Sequence, residues 1–291
     1  MQFLKVPEKH VLQNARATYY PTPDGLRLAR VQVFDTPKFR PDGWEKVNQE
    51  KPSFGEASAP DDEPLDVREE GEEGKDRLNL LRASRRARRA AYDLIMCNPE
   101  LNAFATFTFS PEKVEDKSSY QECYEYLRPW LSNGVQRRDL RYLCVTEETK
   151  KGDIHFHALM NSDALDLVAA RDPRGRLVKH HGDQVYNITN WRRGFSTCQI
   201  VKPRDEDFDP VEAVAKYLFK YMTKNCGAKL GGRYVLKGGD LRKPIYVYGD
   251  GVEDFCFEAP EAYTVDLPNS GKYWEYDFIS ETRKSVDNLG V

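Results

Sequence analysis

Residues 141–160 read RYLCVTEETKKGDIHFHALM, and this stretch decides how the rest of the chain is arranged. Arg141 to Glu147 and Ile154 to Met160 are short runs rich in apolar and β-branched residues, and between them ETKKGD offers lysine, glycine and aspartate for a reversal. The stretch is therefore an antiparallel hairpin. On a strand, side chains two residues apart share a face, so His155 and His157 point together while Phe156 enters the opposite layer. The turn brings the end of the first strand back beside the histidines, with Glu147 preferred over Glu148 as the adjoining carboxylate. A slip of one residue in the register would exchange their faces. Two neutral imidazoles and a carboxylate form a donor set for a divalent metal ion. A structural histidine pair satisfied by hydrogen bonds is the alternative.

Upstream, AFATFTFS (Ala103 to Ser110) alternates as a strand with one packed face, and Ser118 to Gly134 reads as a helix. Before them, Leu78, Leu81, Ala87, Ala91 and Leu94 approximate one face of a helix. Arg82, Arg85, Arg86 and Arg89 stripe the same helix with positive charge, which suits either a phosphate backbone or plain solvation. Downstream, a helix is expected near Asp163 to Ala170, and the end of VYNITNWRRGFSTCQIV is strand-like. Trp191, Arg192 and Arg193 combine a stacking ring with phosphate-seeking charge, although Trp191 could equally be core. His180 and His181 are adjacent, face apart on an extended chain, and are assigned no metal.

The strongest helix signal is DPVEAVAKYLFKYMTKNCG: Asp209 can cap it, Pro210 suits its first turn and Gly227 can end it. Tyr217 and Tyr221 are four apart and share a helix face, with Lys224 one turn beyond. Aromatic residues at that spacing are more often core than catalytic. Beside a metal site, however, a pair of phenols has a chemical use. The metal would polarise a phosphodiester while one tyrosine oxygen attacks, and a second tyrosine could reseal the strand.

The chain has 291 residues and a formal charge of -3. Between Pro52 and Lys75, nine carboxylates against Arg68 and Lys75 give -7, so the remainder carries +4 and can meet a polyanion. The low apolar content from about Gly43 to Gly74 marks a linker. TYYPTPDGLRLARVQVF (Thr18 to Phe34) reads as a hairpin turning at Pro-Asp-Gly. The expected division is a hairpin extension over 1–42, an acidic linker over 43–75, a catalytic domain over 76–250 and an acidic, aromatic extension over 251–291. Six dispersed cysteines without a CxxC pair, and no leader ahead of them, point to free thiols in a reducing, cytoplasmic setting. No apolar run reaches the roughly 20 residues of a membrane span.

The combination of HFH on a strand, a glutamate ending the preceding strand, and YxxxYxxK on a later helix resembles the HUH endonucleases. It is most similar to the two-tyrosine rolling-circle replication initiators of bacteriophages and plasmids. The resemblance covers about Arg82 to Tyr248 and implies an α+β fold, with a central antiparallel sheet (ferredoxin-like or RRM-like) and flanking helices. It also implies His155, His157 and Glu147 as ligands of magnesium or manganese, and Tyr217 and Tyr221 as nucleophiles assisted by Lys224. Such enzymes nick single-stranded DNA at a replication origin and stay joined to its 5′ end. Host helicase and polymerase are the implied protein partners, and the bacterial cytoplasm the implied setting for a phage-encoded member. Phe107, between Thr106 and Thr108, departs from the leucine more usual in that strand. A single-strand transposase, needing one tyrosine, and a non-catalytic origin-binding protein are the alternative readings.

Overall fold

In the computed structural model, the described residues are 15–34, 72–201, 215, 218, 233–249, 263–267 and 271–277. The chain divides into two units, Met1–Asp66 with Lys243–Val291, and Val67–Arg242. The architecture is α+β with a large antiparallel sheet.

The first unit holds a five-stranded sheet. The strands β1 (Ala15–Thr22) and β2 (Gly25–Phe34) form the hairpin expected from Pro23-Asp24-Gly25, with Thr22 paired to Gly25 across the turn. They do not stand alone. β1 also pairs with β11 (Ile245–Tyr248), and β2 pairs with β13 (Gly271–Asp277), which pairs with β12 (Tyr263–Leu267). Alternation makes one face of the hairpin from Ala15, Ala17, Val31 and Val33, all buried. The hairpin is thus completed by strands from the far end of the chain, including one from the span assigned on sequence to the catalytic domain.

The second unit opens with α1 (Glu72–Cys97), which begins inside the span read as a linker. After it come β3 (Ala103–Phe109), α2 (Tyr120–Arg138), β4 (Tyr142–Glu148) and β5 (Ile154–Met160). The remaining strands are β6 (Leu167–Ala169), β7 (Lys179–His180), β8 (Asp183–Ile188), β9 (Gly194–Ile200) and β10 (Leu236–Gly238). Their order in the sheet is β10-β4-β5-β3-β9-β8-β6, with β7 against β8, and every pairing is antiparallel.

Period-two alternation gives this sheet two apolar faces. Ala105, Phe107, Phe109, Phe156, Ala158, Cys144 and Cys198 pack with Cys123, Leu127 and Leu131 of α2. Phe104, Leu143, Val145 and Leu159 face the other way and pack with Ala91, Leu94 and Ile95 of α1, and with Ala215 and Leu218. Each fully buried Leu or Phe side chain contributes about 1.5–3 kcal/mol. Two sides of such residues explain why helices cover both faces. The apolar stripe expected for α1 therefore faces this core at Ala91 and Leu94, while the side chains of Leu78 and Leu81 lie outside the described residues.

Helix α2 starts where Ser119 accepts a hydrogen bond from the Glu122 backbone N–H, and it runs past the expected stop at Gly134 to Arg138. Asp139, in the left-handed region at φ 54°, then ends it. The helix expected near Asp163 to Ala170 does not form. Ser162–Ala164 is a single 3-10 turn, and Leu167 to Ala169 is an edge strand paired with Ile188 to Tyr186. Asp166 anchors that strand: its carbonyl accepts from the Thr189 N–H at 2.9 Å, and its carboxylate accepts from Asn190 at 3.1 Å.

Candidate metal centre

The turn over Thr149 to Asp153 closes with Thr149 N–H donating to the Asp153 carbonyl at 2.9 Å and Gly152 N–H donating to the Thr149 carbonyl at 2.9 Å. Gly152 takes φ 85°, a left-handed geometry that glycine adopts without Cβ strain. This closure sets the register of β4 on β5: Glu147 opposite His155, Val145 opposite His157, Glu148 opposite Ile154. Residues directly opposite share a face, so Glu147 joins both histidines and Glu148 turns away, exposed. The choice between the two glutamates follows from one residue of register.

The ligand atoms of Glu147, His155 and His157 all lie within 4.8 Å of one another, the only such group among the described residues. Glu147 and His157 are buried, and His155 is half-buried. A carboxylate this buried needs a partner. His157 Nε2 lies 2.6 Å from Glu147 Oε2 and Nδ1 lies 3.0 Å from Thr106 Oγ1, while the Phe104 ring stacks on the imidazole at 5.9 Å and 12°. The threonine hydroxyl serves either state of the ring. It donates to a bare Nδ1 when Nε2–H bonds the carboxylate, and it accepts from Nδ1–H when Nε2 is a ligand.

His155 is different. Among the described residues no hydrogen-bond partner is placed on its ring, which stands 6.4 Å from that of His157. Burial pushes its pKa below the usual histidine value, and Lys117 acts in the same direction, while Glu147 and Asp153 pull it back up. The neutral, ligating form is thereby favoured at neutral pH. Lys117 itself is paired with Asp153 at 2.9 Å. A neutral imidazole aimed beside a buried His–Glu pair, with an oriented second imidazole, fits a divalent cation bound through two nitrogens and one oxygen. A cation there would take the position of the proton between His157 and Glu147, so binding would release that proton.

The sheet carries this triad at the boundary of two surfaces. Leu143, Val145, Phe104 and Leu159 lie on the same face and are covered by α1 and by the helical residues Ala215 and Leu218. In the other direction the cross-strand row through Glu147 and His155 continues to Thr108 on β3 and Phe195 on β9. Thr106 and Thr197 form the next row with His157. That side is open: Thr106 and Thr108 are partly exposed, Thr197 is exposed, and Phe195 is 79 % exposed.

Residues 102–226 match the family model of the replication-associated protein ORF2. The matched span begins just before β3, contains the whole triad and reaches past Ala215 and Leu218, and it is less than half of the 291 residues. Over that span the chain is similar to replication-associated proteins, which supports a role in replication initiation. No curated protein and no solved structure matches.

The other residues singled out on sequence are dispersed. Tyr217, Tyr221 and Lys224 lie outside the described residues. Trp191 is 5 % exposed and sits among Phe107, Phe109 and Trp130 with ring centroids 5.0, 5.4 and 6.1 Å away. Its ring is enclosed on the α2 side of the sheet, so it is a core residue and not a platform for a base. Arg192 and Arg193 are exposed in the turn that precedes β9, and the Arg193 guanidinium lies 4.4 Å from the Tyr126 ring centroid. On α1, Arg82 and Arg86 are exposed, Arg85 is partly buried, and Arg89 is 3.7 Å from Asp93. Arg242 is structural: it pairs with Glu100 and donates from Nε to the Cys97 carbonyl at 2.7 Å. Phe195 escaped notice in the sequence. Its signal was the polar company of Thr197 and Gln199 at alternate positions, which marks its face of β9 as open.

No helix among the described residues is long and apolar enough to cross a membrane. Cys97, Cys123, Cys144 and Cys198 are free and buried. Burial pushes the thiols of Cys97, Cys123 and Cys198 up to about 12, and that of Cys144 higher still. They are packing residues and not nucleophiles.

Proposed function

We propose that the protein is an HUH-type, metal-dependent nicking and joining enzyme that acts on single-stranded DNA to initiate rolling-circle replication. The observation that carries this reading is the Glu147, His155, His157 group on a sheet face inside the span similar to replication-associated proteins. Two further features support it. Ala215 and Leu218, on either side of Tyr217 in sequence, are helical and packed on the same sheet face as the triad. The other side of the triad is open to a polymeric substrate.

In this reading a tyrosine oxygen, from Tyr217 or Tyr221, attacks the scissile phosphorus. A phosphorus–oxygen bond to the tyrosine forms, the bond to the 3′ oxygen breaks, and the phenolic proton is balanced by protonation of the leaving 3′ hydroxyl. The 5′ end is left as a phosphotyrosine, whose ester linkage conserves the energy needed for rejoining by the second tyrosine. Magnesium or manganese bound by His155, His157 and Glu147 would supply the Lewis acid that polarises the phosphate. Thr106 holds the His157 ring in its ligating orientation, and Lys224 assists the nucleophiles. Arg82, Arg85, Arg86 and Arg89 on α1, with Arg192 and Arg193, supply phosphate contacts. Single-stranded DNA at an origin is the substrate, and host helicase and polymerase are the partners that would extend the free 3′ end.

The test is incubation of the full chain with end-labelled single-stranded DNA of mixed sequence and manganese, followed by denaturing electrophoresis. A protein band carrying covalent DNA is expected, absent for His155→Ala and for the double change Tyr217→Phe, Tyr221→Phe. Undiminished adduct in either variant overturns the mechanism.

A further inference from the structure

We infer that Phe195 is a stacking platform for a nucleobase of the strand whose phosphate is held at the triad. This rests on the reading of the site as one that acts on single-stranded DNA. The ring is 79 % exposed although it belongs to an interior strand of the sheet. Phe195, Thr108, His155 and Glu147 form one continuous cross-strand row on one face. With neighbouring strands about 4.8 Å apart, two strand spacings put Phe195 roughly 10 Å from His155.

The position is held firmly. Gly194 starts β9 so close to β3 that a Cβ there would stand 2.1 Å from the Thr108 carbonyl oxygen. The Ser110 N–H also donates to the Arg193 carbonyl at 2.9 Å. The next residue, Phe195, is thereby fixed against the strand that borders the triad. Exposing such a ring forgoes the stabilisation of burying it, about 1.5–3 kcal/mol.

The surroundings favour a base over an apolar protein surface. Thr108 and Thr197 flank the ring on its face, and Asn187, exposed on β8, shares that face by alternation with Val185. One ring among hydroxyls and an amide offers a π-face without the contiguous apolar area of several hundred Å² that marks a protein-docking patch. Exposed Arg192 and Arg193, two and three residues before it, add the charge that follows a phosphate backbone. Aromatic ring plus arginine is the combination by which single strands are bound without dependence on sequence.

The test measures dissociation constants of the full chain at one fixed salt concentration. Two fluorescein-labelled oligonucleotides are used, one of mixed sequence and one of equal length made of abasic sites. Phe195→Ala is expected to weaken binding of the first by about ten-fold and of the second hardly at all, with Phe195→Trp restoring the loss and Phe195→Leu not. Circular dichroism and manganese affinity should be unchanged, since the ring is exposed and off the triad. Equal affinity of wild type and Phe195→Ala for the base-containing strand overturns the inference and leaves the ring to a protein partner. If the wild type binds that strand and forms the manganese-dependent adduct, such a result overturns this inference alone. A wild type that neither binds nor is joined to single-stranded DNA overturns both readings.

Discussion

The triad face of the large sheet has two halves made from the same strands and built for opposite purposes. On one, Phe104, Leu143, Val145 and Leu159 are closed over by α1 and by Ala215 and Leu218. On the other, Thr106, Thr108, Thr197 and Phe195 remain open, and Glu147, His155 and His157 stand between the two. The closed half gives the metal centre rigidity and low polarity on one side, and the open half gives it access. A ligand set wholly inside the core would be sealed from a polymer, and one wholly in the open half would lose the packing that orients His157 against Phe104.

Substitutions on either side of the boundary should separate these roles. The largest effect is expected from His155→Ala. Its ring is half-buried and has no hydrogen-bond partner among the described residues, so the fold should persist. Manganese affinity should fall by more than the roughly 10–100-fold typical of losing an outer partner, measured by isothermal titration. Retained affinity would remove His155 from the centre. In the closed half, Leu159→Ala empties a fully buried site and should cost about 2–5 kcal/mol in denaturant unfolding. A loss below about 1 kcal/mol would show that this half is not the core it resembles.

At the seam of the open half, Gly194→Ala forces a methyl against the Thr108 carbonyl and should destabilise by about 1–3 kcal/mol, seen as a lower unfolding midpoint. Thr106→Val keeps the shape and removes the hydroxyl at His157 Nδ1, so manganese affinity should drop about 10-fold or more while stability changes little. The smallest effect belongs to Thr197→Ala, which should leave stability within about 0.5 kcal/mol. A larger loss would mean that the open half carries structural weight of its own.

Several of these features were legible in the order of residues. The hairpin of β4 and β5, the shared face of His155 and His157 and the preference for Glu147 all follow from period-two alternation and a glycine-bearing turn. The apolar stripe of α1 and the α2 helix follow from helical periodicity and a serine cap. Reading failed where local pattern was weak. Leu165, Leu167 and Val168 form a short apolar run compatible with helix or strand, and pairing with β8, anchored through Asp166, settled it as strand. Trp191 and Phe195 were exchanged for the same reason: both are aromatic residues near arginines, and only packing distinguishes the enclosed ring from the open one.

By itself the sequence determined which side chains share a strand face, because alternation is a property of the extended backbone and needs no distant partner. It therefore specified the composition of the metal centre. Tertiary structure alone decided which strands became neighbours, and so placed Thr106 behind His157 and Phe195 in line with His155. It also completed the N-terminal hairpin with strands from the other end of the chain. Those contacts join residues about 50 to 250 positions apart, and their register is set by the burial of whole faces, which no local pattern records.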